Sequence, residues 1–380
     1  MVYNFEVAIV GGGPAGSSAA INLAKKGFDV CLFEKKVFPR ETVCGEFLSK
    51  EVIENLRELN LFEKFQSLNP NKINSFRFIN NNGDDIFSSL DFQAYSLKRS
   101  TFDNFLLQQA KENNVKIFQP AEVIEIINLE DHYKVVFYSS NKKESVEVKN
   151  VIAAYGKQNI LDKCLHRSFI NVRSKLNGIK FHLEEKYFDG FNKNEIHIYS
   201  GKNIYCGINA VNDNMVTLCF LEDRNYYSNT AKDQLMDLFD NNIRFKNLFN
   251  TDLDTMINHS TIYGTGNIYF GKKNIIENGI YMIGDAAGII APLAGDGIGI
   301  AFESAKVLVD LLFEEKEKKI DSDILGRKYI NEWNNLFSKR LFTAKLIQDF
   351  ILKNYLKNIG FYFIKMVPNS LNYFIKATRT

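Results

Sequence analysis

The chain opens with a short, nearly unbroken apolar run, Phe5 to Val10, then three glycines, then Ser17 to Lys26 with apolar residues at helical spacing. A run that short and unalternated predicts a strand buried on both faces, as in a parallel sheet. Gly27 ends the helix, and Phe28 to Phe33 predicts a second strand of the same kind. Ser49 to Leu59 reads as a helix capped by Ser49, with Val52, Ile53 and Leu56 on one face. Asn74 to Leu90 alternates in part around Asn81-Asn82-Gly83-Asp84, the signature of a hairpin. Ser100 or Thr101 caps a helix running to about Glu112. Ala121–Ile127, Tyr133–Tyr138 and Ser145–Val148 predict a three-stranded antiparallel excursion, after which Val151–Ala154 returns to the parent sheet. Gly178 to Leu221 is β-rich, turns at Asn212-Asp213-Asn214 and predicts a second sheet. Ile280 to Ile283 is a further buried strand, and from Gly297 onward the pattern is helical.

Spacing turns these elements into a site. Gly11, Gly13 and Gly16 stand as G-x-G-x-x-G between the first strand and its helix, with Pro14 and Ala15 inside the turn. The first glycine allows the turn, the second admits a pyrophosphate and the third lets helix and strand pack closely. The helix N-terminus offers free N–H groups to phosphate. Glu34 ends the second strand, 18 residues past Gly16, where a carboxylate for an adenosine ribose is expected, and Lys35 follows it. A second constellation follows the Ile280–Ile283 strand. Gly284-Asp285 places a carboxylate at a strand end, suited to a polyol chain. Pro292, Gly295, Asp296, Gly297 and Ile298 then lay backbone and a helix N-terminus against a flat, electron-rich ring. That pairing suits a flavin dinucleotide.

The chain is accordingly read as α/β. A Rossmann-type FAD-binding domain (1–72, 96–160 and 262–330) carries an inserted β-sheet substrate domain (73–95 and 161–261), and basic helices cover 331–380. Composition narrows the options. The 380 residues carry a net charge of +2, 45% hydrophobic and 24% charged residues, so no nucleic-acid partner is expected. Five scattered cysteines and five histidines show no disulfide or metal-ligand spacing, and no metal is expected. The opening apolar run lacks a basic leader and no stretch of about 18 apolar residues occurs, so a cytoplasmic protein is expected. Residues 339–380 hold eight Lys/Arg against one Asp, interleaved with Phe, Leu, Ile and Tyr. Such helices can lie on an anionic inner membrane surface or cover the first domain with their apolar face.

With these residues in hand, the chain resembles the FAD-dependent oxidoreductases of the para-hydroxybenzoate hydroxylase fold, and within them the geranylgeranyl reductase family. The resemblance rests on G-x-G-x-x-G with Glu34, on Phe38-Pro39-Arg40 with Cys44-Gly45-Glu46 and Leu48, on Arg99 with Asp103, and on Gly284-Asp285 with Pro292 to Gly297. It implies that Glu34 holds the ribose, that Arg40 and Arg99 help hold the dinucleotide, that Asp285 binds the ribityl chain, and that Cys44-Gly45 lies at the flavin beside the substrate. Two departures are evident. Tyr155-Gly156 stands where many aromatic hydroxylases carry Asp-Gly, and Tyr205-Cys206-Gly207-Ile208-Asn209 stands where reductases carry Tyr-x-Trp-x-Phe-Pro.

Four side chains are catalytic or pocket candidates. Cys44 could give a proton to a carbanion or simply pack. Glu46 could act as acid or base if burial raises its pKa, or be a solvated loop carboxylate. Tyr205 and His197 lie on what read as neighbouring strands and could line the pocket or serve the core. The expected activity is that of a FAD oxidoreductase on a small apolar substrate (isoprenoid, polyene or polyketide-like). The leading expectation is reduction of a C=C bond by hydride from flavin N5. One alternative is a monooxygenase hydroxylating an aromatic or polyketide ring, and another is a non-catalytic flavin-binding protein. A single dinucleotide fingerprint implies that NAD(P)H visits only transiently as electron donor, or that another protein supplies the electrons.

Overall fold

The computed structural model describes residues 4–212, 214–224, 230–319, 321–352, 361 and 379. Strand β1 (Phe5–Val10) turns into helix α1 (Pro14–Lys25), and β2 (Val30–Phe33) pairs with β1 in parallel, as the apolar runs require. Short strand β3 (Phe47–Leu48) and α2 (Lys50–Glu58) precede the hairpin β4 (Asn71–Ile79) and β5 (Asp85–Ser96). Then come α3 (Arg99–Glu112), β6 (Lys116–Phe118), β7 (Ala121–Asn128), β8 (Tyr133–Ser139) and β9 (Lys142–Ala153). The second sheet contributes β10 (Leu176–Glu184), β11 (Glu195–Gly201), β12 (Ile204–Ala210), β13 (Met215–Asp223) and β14 (Ile262–Thr265). Two long helices close the described chain, α4 (Gly297–Lys318) and α5 (Ser322–Leu352).

The first sheet runs Ile276–Glu277, Ile280–Met282, β9, β1, β2, β6, with β7 and β8 as an antiparallel flap. Val7, Ala8 and Ile9 of its central strand are wholly enclosed, with α1, α3 and α4 around them in one core. The second sheet runs β14-β10-β13-β12-β11-β4-β5-β3. One of its faces packs on the helices 231–241, 243–246 and 253–258 through Ile208, Leu218, Leu238, Phe245 and Met256. With side chains alternating along each strand, the other face is free to wall a cleft against the first domain.

Several boundaries differ from expectation. The excursion and the returning strand are one strand: β9 pairs antiparallel with β8 through its first half and parallel with β1 through its second, and Val148 meets both Tyr133 and Phe5. Phe47–Leu48, Asn71–Lys72, Ser96 and Ile262–Thr265 belong to the second sheet. Conversely, the helix Ile160–Cys164 packs in the first core through Leu161 and Leu165. Helix α3 starts at Arg99, and neither Ser100 nor Thr101 caps it: Ser100 Oγ donates to Glu41 instead. The β12–β13 turn forms at 211–214, its Asp213 lying outside the described residues. Helix α5 buries Trp333, Phe337, Leu341 and Ala344 against the first core and leaves Phe342 and Leu346 exposed. Apart from Phe361 and Arg379, the basic segment beyond Leu352 lies outside the described residues.

Candidate active site

A cleft of about 850 Å³ runs between the two sheets, from the glycine turn to the face of β12. At its first end Gly11 takes φ +114°, and a Cβ there would lie 2.4 Å from the Ala154 carbonyl oxygen. Gly16 is needed for packing: its Cβ would meet Gly11 O at 1.8 Å, and it does not face the cleft. Gly13 is different. A Cβ there would meet only an Arg40 nitrogen at 3.8 Å, so the space in front of it is open to a ligand. Helix α1 begins with Pro14 and receives no side-chain cap, which leaves its first-turn N–H groups facing that space. Glu34 is 5% exposed, and its two oxygens accept from the backbone N–H of Gly12 and of Lys36, each at 2.8 Å. Arg40 stacks over Phe38 and lies 3.5 Å from Asp103, while Lys35 is exposed at the rim. Arg99 reaches the cleft, but two of its nitrogens are held in a fork on Asp103 at 2.7 and 2.8 Å.

At the other end Gly284 (φ +58°) packs the Gly284–Ala286 turn onto α1, where its Cβ would meet Ala15 Cβ at 2.9 Å; it too is absent from the lining. Asp285 faces the cleft and is half-buried. Two buried cations that the sequence did not reveal bolt this turn from behind. Lys273 Nζ donates to Asp285 O at 2.9 Å, and Arg167 donates to Ala286 O at 2.9 Å. Burial pushes the Lys273 ammonium down to about 8 despite the nearby charge of Asp285 and Asp162. Pro292, Gly295, Gly297 and Ile298 line the cleft as expected, and α4 starts there without a side-chain cap.

Asp296 lines the cleft too. Its carboxylate is wholly buried, accepting from Ser49 Oγ at 3.1 Å and from the Arg340 guanidinium of α5. Burial pushes it up to about 7, with Glu51 and Glu303 adding to the rise and Arg340 and Arg379 opposing it. Only its backbone is left for a cofactor. The Ser49 hydroxyl, expected to cap α2, makes this bond and no cap.

Glu46 is the larger correction. It is neither a solvated carboxylate nor an acid with raised pKa. Fully enclosed at φ +60°, it accepts from Lys180 Nζ at 2.9 Å, from His182 Nε2 at 2.7 Å, from the Thr217 hydroxyl, and from the Arg99 backbone N–H at 2.9 Å. Burial alone would raise its pKa; the hydrogen bond and charge of His182, the charge of Lys180 and the Thr217 hydroxyl hold it at about 2. Glu41, Glu46 and His182 bring ligand-type atoms within 4.8 Å of one another. The Lys180 ammonium bonds both carboxylates and supplies the cation itself. Because Lys180, His182 and Thr217 sit on β10 and β13, this cluster pins the Cys44-Gly45-Glu46 turn to the second sheet. Cys44 itself is half-buried in the cleft wall, with Sγ accepting from Glu46 N–H at 3.3 Å.

The second sheet supplies a mostly apolar wall: Ile196 and Ile198 of β11, Tyr205, Gly207 and Asn209 of β12, Cys219 and Leu221 of β13. Tyr205 lines the cleft and donates to Gln348 at 3.3 Å. His197 points to the opposite face beside Phe191 and Tyr199, so it is no pocket residue; burial lowers its pKa, which Glu195 opposes. Tyr155, in place of the hydroxylase Asp, donates its hydroxyl to Asp162 at 2.7 Å.

The donor set fits FAD on structural grounds: an open space at Gly13, a carboxylate pinned at Glu34, Asp285 on the cleft, and two uncapped helix N-termini, α1 and α4, opening on one cavity. The fold and site define an FAD-dependent oxidoreductase of the para-hydroxybenzoate hydroxylase-like architecture. The family model described as FAD binding domain matches residues 4–327, and the chain belongs to that family. It is 24% identical to a 1H-pyrrole-2-carbonyl-(peptidyl-carrier protein) chlorinase of Pseudomonas fluorescens, over 94% of this chain and 82% of that protein. Among solved structures, flavin-dependent brominase Bmp2 superimposes with a TM-score of 0.78 at 19% identity, covering 98% of this chain and 93% of its own. A geranylgeranyl bacteriochlorophyll reductase-like protein of Thermoplasma acidophilum does so with 0.80 at 20% identity, covering 98% and 95%. At such identities the structures establish the fold.

Proposed function

We propose that this flavoenzyme reduces a carbon–carbon double bond in a largely apolar substrate, with Cys44 as the proton donor. The observation that carries this reading is the division of labour in the Cys44-Gly45-Glu46 turn. Glu46 is locked as a carboxylate by Lys180, His182 and Thr217, whereas the Cys44 thiol faces the cleft. Bound reduced FAD supplies the hydride. Cys44 Sγ then gives its proton to the neighbouring carbon, leaving a thiolate. The substrate tail packs on Ile196, Ile198 and Leu221, an apolar wall of the kind that binds such molecules. Electrons arrive from NAD(P)H visiting transiently, supported by the single dinucleotide fingerprint.

A second reading has its own support in the similarity to the pyrrolyl chlorinase over nearly the whole chain. In it the same apolar wall holds an electron-rich ring, and oxygen is consumed to halogenate or hydroxylate it. The two readings part on co-substrates. Reduced holoprotein mixed anaerobically with polyprenyl and polyene probes should be reoxidised as a double bond is lost; turnover that requires O₂, with product gaining oxygen or halogen, establishes the second reading.

Among the described residues no helix is long and apolar enough to cross a membrane. A peripheral contact belongs to the proposal, supported by exposed Phe342 and Leu346 beside Lys339 and Lys345 on α5. Flotation with anionic but not neutral vesicles tests it.

A further inference from the structure

Buried polar atoms are almost always hydrogen-bonded, and an orphan on the wall of a ligand cleft marks a place where a ligand atom belongs. Among the described residues, two that line the cleft carry such orphans, Asn209 (Nδ2) and Arg379 (Nε). The Arg379 guanidinium already serves Glu51 and the Ala294 carbonyl through its other nitrogens. Asn209 has no such relief. Its side chain is 3% exposed, and its amide nitrogen, with two N–H donors, meets no acceptor.

Its placement is informative. Asn209 is paired across the sheet with Thr217, the residue whose hydroxyl reaches Glu46. It therefore stands beside the cluster that pins the Cys44-Gly45 turn, at the reacting end of the cleft. Gly207, two residues before it on the same face, presents no side chain. A Cβ there would meet nothing closer than Cys219 O at 3.8 Å, so the wall beside Asn209 is open, and the enclosed amide nitrogen reaches a ligand there by a turn of its side chain. Ile196, Ile198 and Leu221 line the same wall with hydrocarbon.

We infer that Asn209 anchors the substrate, its orphan amide N–H groups donating to a carbonyl-type oxygen at the reacting end of an otherwise apolar molecule. This rests on the apolar-substrate reading above and narrows it to substrates bearing a hydrogen-bond acceptor next to the bond that reacts. A donor so placed would also draw electron density from a conjugated double bond and favour hydride addition. A pure hydrocarbon polyene would leave the amide unpaired and bind less well.

The test uses FAD-loaded protein and two probes of equal chain length, methyl nonyl ketone and n-undecane, with binding read from the perturbation of flavin absorbance. The ketone should bind about tenfold or more tighter than the alkane, the scale of leaving a buried donor unpaired. Asn209→Leu, with FAD content retained, should erase that preference while alkane affinity holds or rises. Equal binding of both probes to the unaltered protein, or a ketone preference that survives Asn209→Leu, overturns the inference and leaves the apolar cleft standing. Failure of both probes to bind overturns the apolar-substrate reading as well.

Discussion

Lys180 Nζ and Glu46 Oε1 lie 2.9 Å apart with neither side chain exposed, joining a loop of the first domain to a strand of the second. Burying both charges costs solvation, so the pair holds only because each is multiply bonded: Lys180 also meets Glu41, and Glu46 also meets His182 and Thr217. Lys180→Met removes one partner and leaves the carboxylates uncompensated. A loss of about 3–5 kcal/mol in unfolding free energy is expected, the usual scale for breaking a buried pair. Urea titration measures it, and a loss below about 1 kcal/mol would mean that the cluster is solvated.

The same cluster sets an acid limb. A carboxylate at about 2 in the folded protein, against 4.5 for the free group, favours folding fully above about 4.5. Protonation removes that stabilisation as pH falls from there toward 2. Glu46→Gln should flatten stability over this window, as followed by denaturant midpoints at stepped pH.

Gly13 and Gly16 separate cofactor binding from folding. Gly16→Ala places a Cβ 1.8 Å from Gly11 O and should yield misfolded or insoluble protein. Gly13→Val meets only the Arg40 side chain, so a folded protein with little FAD is expected. Flavin absorbance per mole of folded protein, checked by circular dichroism, decides; full FAD content in Gly13→Val would place the dinucleotide elsewhere.

Asp285→Ala should weaken FAD by about 1.5–3 kcal/mol, the range for a hydrogen bond to a charged acceptor. The turn is held through its backbone by Lys273 and Arg167, so thermal stability of the apoprotein should barely move. Equilibrium titration of apoprotein with FAD gives the dissociation constant, and an unchanged value removes Asp285 from the site.

What could be read from sequence alone was local. The glycine turn and Glu34 lie within one βαβ unit, where spacing fixes geometry, and the structure places Glu34 against Gly12. The role of Glu46 is not legible locally, because its partners lie 134, 136 and 171 residues away, on strands whose register no local pattern reveals. The partner of the Asp296 carboxylate is also remote, Arg340 lying 44 residues on. Asn209 stands in a stretch whose sequence shows only a departure from a motif; its place follows from the strand geometry that puts Tyr205, Gly207 and Asn209 on the cleft face. Strand β9 reads as two because its outer half alternates and only its last residues, Val151 to Ala153, are an apolar run, the two parts being paired differently.

The most direct test of the account is single-turnover reoxidation of the reduced holoprotein by a reducible polyprenyl or polyene probe without oxygen, in the unaltered chain and in Cys44→Ser and Cys44→Ala. The account expects flavin content and reduction to be nearly intact in both variants, and double-bond reduction to fall about 10²-fold or more, the scale for losing a positioned proton donor. Rates within a factor of a few of the unaltered chain, or product that forms only when O₂ is present, would contradict it.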